Sequence, residues 1–143
     1  MPHALVLHRR VQFYETDAAG IVHFSNFFRY MEEAEHALWR ENGISIFPAA
    51  PTHGWPRVAA SFDYKRPLRF EDAFELHLSV TKISTRSLTY GCRIVCRGDV
   101  VADGSMTIVC VQRDGDHVMR AVPIPGSIVA LFQPPAAPSP ADS

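Results

Sequence analysis

Ser25-Asn26-Phe27-Phe28-Arg29-Tyr30-Met31-Glu32-Glu33-Ala34-Glu35-His36-Ala37-Leu38-Trp39-Arg40-Glu41-Asn42-Gly43 is the stretch where the periodicity of the chain changes. Phe27, Met31, Ala34 and Leu38 recur at helical spacing, with Phe28 beside them, so one face of a helix is apolar. Arg29, Glu32, Glu33, Arg40 and Glu41 fall largely off that stripe and read as a solvated face. Ser25 or Asn26 stands where an N-cap belongs, and Gly43 is a stop signal. The spacing predicts one long helix over about residues 25–42.

Around it the chain reads as strands. Residues 5–13 form the first, with Val6, Val11 and Phe13 supplying β-favouring bulk. After a connection rich in Pro and Gly (Pro48, Pro51, Gly54, Pro56), a second strand covers 58–65. Residues 74–81 alternate strictly between apolar and polar, the clearest period-two run in the chain. Leu88, Tyr90, Cys92, Ile94 and Cys96 alternate with Thr89, Gly91, Arg93 and Arg97, and 100–112 reads as another strand. Arg97-Gly98-Asp99 and Arg113-Asp114-Gly115-Asp116 are turn signals, and Pro125 opens a short helix through about Phe132. A sheet with one apolar face needs a cover, which a single amphipathic helix supplies. The expected class is α+β, an antiparallel sheet wrapped around one long helix.

The chain has 143 residues, 47% hydrophobic and 20% charged, which suits one globular domain with no room for a second core. Residues 1–133 are read as that domain. Residues 134–143, made of Pro, Ala, Ser and Asp, offer nothing to bury and are read as a disordered tail. Fourteen Lys and Arg against fifteen Asp and Glu leave a formal charge of −1, which argues against a nucleic-acid partner. An anionic ligand would need a local basic patch. The three cysteines lack metal-ligand spacing, and His3, His8, His36, His53, His77 and His117 are dispersed, so no metal site is expected. The short apolar run before Arg9 and Arg10 is the reverse of a secretory signal, and no apolar stretch is long enough to span a bilayer. The expected compartment is the cytoplasm.

The segment before the helix carries the chemistry. In Glu15-Thr16-Asp17-Ala18-Ala19-Gly20-Ile21-Val22-His23-Phe24-Ser25-Asn26 a carboxylate sits in a Gly-containing loop just ahead of a helix start. Helix starts present unpaired backbone N–H groups and a partial positive charge. Such donors polarise a carbonyl oxygen as an oxyanion hole does. A carboxylate beside them is a minimal kit for hydrolysing an activated acyl group. From spacing alone that signal is weak, and Asp17 reads first as a turn or capping residue.

The run Thr16-Asp17-Ala18-Ala19-Gly20-Ile21-Val22, followed by an aromatic, Asn26, an aromatic pair and Arg29, resembles the active-site segment of the 4-hydroxybenzoyl-CoA thioesterase family, which has the hotdog fold. Tyr64-Lys65-Arg66-Pro67-Leu68-Arg69-Phe70-Glu71-Asp72 resembles the strand-end motif of close relatives, including the acyl-CoA thioesterases associated with the Tol-Pal system. Met119-Arg120-Ala121-Val122-Pro123-Ile124-Pro125 is similar to the family's C-terminal segment, and the likeness spans about residues 5–132.

This resemblance implies a hydrolase that cleaves an aromatic or short-chain acyl-CoA without a cofactor, coenzyme A being part of the substrate. Asp17 matches the catalytic aspartate, as nucleophile or as general base. Phe24 stands where the backbone N–H points at the thioester carbonyl, and Gly20 lets the loop turn tightly beside the substrate. Many relatives carry His where this chain has Phe24 and an aromatic where it has His23; His23 is read either as an auxiliary acid or base or as a helix-start residue facing solvent. Ala18 stands where the aryl-specific type has proline. Arg86 and Ser87 match the region that contacts the nucleotide, and Arg120 is a further candidate for the phosphates. Another hotdog branch uses a helical Glu, which draws attention to Glu32 and Glu33. The family pairs two units with the sites between them, which implies a homodimer or homotetramer. The rival readings are a module that binds acyl-CoA or an acyl carrier protein without turnover and, last, a dehydratase.

Overall fold

The computed structural model describes residues 3–113 and 119–134. Strand β1 (Ala4–Arg10) leads into a single 3-10 turn at Phe13–Glu15 and, after the Asp17 loop, into helix α1 (Asn26–Glu41). Then come β2 (His53–Gly54), β3 (Arg57–Tyr64), β4 (Ala73–Ile83), β5 (Ser87–Cys96) and β6 (Asp99–Val109). The chain closes with β7 (Val111–Arg113), β8 (Met119–Ala121) and the short helix α2 (Gly126–Phe132). One antiparallel sheet has the order β1-β4-β5-β6-β3, and a small second sheet has the order β2-β7-β8. The α+β class and the sheet curled around one helix are those read from the sequence.

The period-two run holds β4 in place. Phe74, Leu76, Leu78 and Val80 are buried, as are Leu88, Tyr90, Cys92, Ile94 and Cys96 across from them on β5. These side chains meet the α1 stripe of Phe27, Met31, Ala34 and Leu38 in one core. Cys92, Cys96 and Cys110 are buried free thiols, and burial pushes Cys92 up to about 12, so it packs as a small apolar residue.

Two strand expectations are corrected. The strand expected over 5–13 ends at Arg10, because Gln12 donates its N–H to Glu15 Oε1 and the chain turns inward there. The strand expected over 100–112 breaks at Cys110. That residue donates its N–H to the Arg86 carbonyl and accepts from the Val122 N–H, so the chain passes from one sheet to the other. Ser25 occupies the N-cap position of α1 but makes no side-chain cap bond. The turn expected at Asp114–Asp116 and the tail from residue 135 onward lie outside the described residues.

Glu35 belongs to neither side of the expected helix pattern. It faces the core with no exposed surface and is paired with Arg57 at the start of β3, while Glu32 meets the same guanidinium at 3.1 Å. Trp39 Nε1 donates to the Tyr90 hydroxyl at 2.9 Å beside it. Thus α1 is tied to the edge strand by charge as well as by apolar packing.

β3 is an edge strand with little buried surface, and Val58 is 60% exposed. Gly104 of β6 lets it approach closely: a Cβ there would stand 2.6 Å from both the Phe62 ring and the Ser61 carbonyl. We expect Gly104→Ala to destabilise the protein by about 1–3 kcal/mol, because the obstacle includes backbone that must move. Urea unfolding checks this, and a midpoint equal to that of the parent would show that β3 yields freely.

Candidate active site

Asp17 stands in a tight loop built by its own neighbours. Its N–H donates to the Ile21 carbonyl at 2.8 Å and its carbonyl accepts from the Gly20 N–H at 2.9 Å. Oδ1 accepts from the Ala19 N–H at 2.8 Å, an Asx turn that leaves the second carboxylate oxygen uncommitted. Gly20 has φ +81°, the left-handed conformation that a side chain would strain. Thr16 and Val22 are bridged across the loop, and the Val22 N–H donates to the Leu68 carbonyl at 2.8 Å. The strand-end motif after β3 therefore lies directly against the Asp17 loop.

The helix start is placed by the same strap. His23 N–H and Asn26 Nδ2 both donate to the Glu15 carbonyl, at 2.9 and 2.8 Å. Burial alone would raise Glu15, but the Arg9 guanidinium and the Gln12 N–H hold its carboxyl below the usual range. The Phe24 N–H has no hydrogen-bond partner among the described residues, while the Phe24 carbonyl accepts from the Tyr64 hydroxyl at 3.0 Å.

Asp17 and Phe24 share a cleft of about 490 Å³ whose other walls are Ile21, Val22, Phe27, Tyr64, Lys65, Arg66, Pro67 and Leu68. Phe27 and Tyr64 meet edge to face at 5.0 Å, and Phe24 is 62% exposed, so three aromatic residues join Ile21, Val22, Pro67 and Leu68 in a largely apolar lining. Lys65 and Arg66 carry positive charge to its rim, each in an exposed pair, with Asp103 at 3.5 Å and with Asp99 at 3.3 Å. The size and the mix of apolar wall with a few polar groups suit a small-molecule site.

The other residues singled out from sequence are elsewhere. The His23 ring stacks on Phe24 at 4.6 Å, but Nδ1 meets Ser25 Oγ at 2.8 Å and the ring does not line the cleft. Glu33 pairs with Arg9 at 2.7 Å, as Glu32 does with Arg57. Arg86 and Ser87 lie past the end of β4, whereas β1 hands its chain to the Asp17 loop beside the start of β4, and neither residue lines the cleft. Arg120, on β8, donates to Gln112 Oε1 at 2.9 Å. Tyr64, Lys65, Arg66 and Leu68 were not singled out as site residues. Their signal was the strand-end motif, but nothing local says that it folds against residues 17–24.

A sheet curled around one helix, with the Asp17 loop and the helix start meeting at one cleft, defines a hotdog-fold protein. Residues 11–132 match the model of the thioesterase-like superfamily, and the chain belongs to that family as a hotdog-fold thioesterase. It is 36% identical over 132 residues to an Aquifex aeolicus (strain VF5) protein provisionally described as an esterase, a match that covers 90% of this chain and 97% of the relative. It is 29% identical over 122 residues to a 1,4-dihydroxy-2-naphthoyl-CoA hydrolase of Prochlorococcus marinus (strain MIT 9303), covering 79% and 81%. Among solved structures it resembles a gentisyl-coenzyme A thioesterase, with a TM-score of 0.77 and 31% identity over 90% of this chain and 99% of that one. Among the described residues no helix is long and apolar enough to cross a membrane.

Proposed function

We propose that the protein hydrolyses an aromatic or short-chain acyl-CoA to the free acid and coenzyme A, with Asp17 as the reacting carboxylate and the Phe24 N–H as the oxyanion donor. The observation that carries this reading is that Asp17, with one carboxylate oxygen outside its Asx turn, and Phe24, whose N–H has no partner among the described residues, line one cleft together. The thioester carbonyl oxygen would accept from the Phe24 N–H, which is strongest when the oxygen gains charge in the transition state. Asp17 then either attacks the carbonyl carbon, expelling the thiolate and leaving an anhydride for water to open, or takes the proton from an attacking water. Both routes need only water besides the substrate, so we propose no cofactor. Phe24, Phe27 and Tyr64 favour a planar acyl group, and the named relatives that act on aromatic acyl-CoAs support the same choice.

The end of β3 lines the cleft at Tyr64, and the outer edge of β3 has no strand beside it among the described residues. We propose a homodimer, alone or within a tetramer, in which β3 pairs with its copy. An antiparallel pairing sets the Tyr64 end of one strand against the Arg57 end of the other. Arg57 pairs with Ile108 and Ile108 with Leu88, so Arg86 and Ser87 of the partner subunit would approach this cleft and serve the nucleotide phosphates. Arg120 is proposed for the same phosphates.

Thiol release from a panel of acyl-CoAs tests the reading. The panel holds benzoyl, 4-hydroxybenzoyl, gentisyl, 1,4-dihydroxy-2-naphthoyl and short and medium aliphatic thioesters. We expect the highest kcat/KM among the aryl members. Tight binding of all with turnover of none would replace hydrolysis by a holding module. A monomer in sedimentation would remove the pairing.

A further inference from the structure

Two residues before Asp17 the chain buries a carboxylate that the proposed chemistry leaves unused. Glu15 is only 4% exposed. Arg9, reaching in from β1, forks onto it with Nη1 at 2.8 Å from Oε1 and Nη2 at 2.6 Å from Oε2. The Arg9 Nε atom meets Glu33 at 2.7 Å, and the guanidinium lies 4.7 Å above the Tyr30 ring. Gln12 N–H adds a third bond to the carboxylate, at 2.8 Å.

The main chain of Glu15 does the other half. Its carbonyl accepts from both His23 N–H and Asn26 Nδ2, so the residue before Phe24 and the first residue of α1 are fastened to one oxygen. Asp17 is two residues along one arm of this strap, and Phe24 is one residue beyond the other arm. Whatever orients Glu15 therefore sets both groups at once.

Stability alone does not account for the pair. Removing two charges from water costs about as much as their attraction returns, and an apolar pair of the same shape would hold β1 to the 3-10 turn as well. An apolar pair would not fix orientation, because only a fork on a carboxylate sets angle and distance together.

We propose that Arg9 and Glu15 are positioning residues, whose forked pair fixes the arm carrying Asp17 against the arm carrying the Phe24 N–H. The proposal rests on the reading of Asp17 and Phe24 given above. Catalytic groups must stand within about half an ångström of their working places, and a displacement of about 1 Å costs on the order of a hundredfold in rate.

The test measures kcat and KM for Arg9→Lys, Glu15→Gln and the double variant Arg9→Met/Glu15→Gln, with Asp17→Asn alongside. The substrate is whichever acyl-CoA of the panel turns over fastest, at a temperature well below each Tm. We expect Glu15→Gln to lower kcat by about 10- to 100-fold with KM within about twofold. Arg9→Lys, which keeps the charge and loses the fork, should fall between it and the parent. The double variant leaves no buried charge unpaired, so it should unfold near the parent's Tm and still turn over slowly; it carries the test if Glu15→Gln is unfolded. A kcat within about twofold of the parent in the folded double variant would reduce the pair to a brace and overturn the proposal. A raised KM at unchanged kcat would also overturn it. Asp17→Asn inactive beside a fully active Glu15→Gln removes the positioning role alone, whereas a fully active Asp17→Asn removes the site reading and this role with it.

Discussion

Asp17→Asn is expected to lower turnover of the best acyl-CoA by about a hundredfold or more, with KM little changed. The substitution is chosen because Asn keeps what the loop needs. Its side-chain oxygen still accepts from the Ala19 N–H, and its backbone still bonds to Ile21 and Gly20, so the cleft keeps its shape. What disappears is the charge and the capacity to attack or to take a proton. The Phe24 N–H survives, so residual hydrolysis from oxyanion stabilisation and binding should remain above that in water. Circular dichroism and Tm should match the parent. Full turnover in this variant would place the reaction on another group, and Glu33 and His23 would be the first to substitute.

Arg57→Met should give the largest loss of stability, about 2–4 kcal/mol at pH 7 in urea unfolding, because it leaves the fully buried Glu35 without its cation. The value is set below that of a wholly buried pair because the Arg57 side chain keeps 28% of its surface exposed. Burial already pushes Glu35 above the usual carboxylate range in spite of Arg57 and Tyr90, and losing the guanidinium raises it further. The folded variant then holds a proton over a pH range in which the unfolded chain has lost it. By linkage, its stability falls as pH rises from the unfolded value near 4.5 to the raised folded value. The deficit relative to the parent should therefore be smaller at pH 5 than at pH 8. Glu35→Gln in the same background should recover much of the loss by removing the stranded charge. A deficit that does not vary with pH would mean that Glu35 is neutral in the parent as well. Since Arg57 begins the edge strand, the variant also tests whether pairing of copies along β3 weakens when the helix lets go of it.

Two of these residues show where reading the chain stops. Glu32, Glu33 and Glu35 are equivalent as letters, and two of the three do lie on the half-exposed face assigned to them. Glu35 is buried because β3 brings Arg57 to it from 22 residues away, a pairing that no local pattern encodes. His23 shows the same limit from the other side: its chemistry suits proton transfer, yet its ring is turned onto Ser25 and Phe24.

By itself the sequence determined the class, the long helix and the alternating strands, but not the small β2-β7-β8 sheet. Helical spacing in α1 and alternation in β4 and β5 are local consequences of burying one face, so they are legible without partners. The Asp17 loop was legible too, since its Asx turn and its left-handed Gly20 are made within five residues. Tertiary structure alone decided what shares the cleft. Tyr64, Lys65, Arg66 and Leu68 reach Asp17 because the Leu68 carbonyl takes the Val22 N–H and the Tyr64 hydroxyl finds the Phe24 carbonyl. Those bonds join segments some forty residues apart, and closure of such a loop is fixed by the whole fold rather than by any stretch within it.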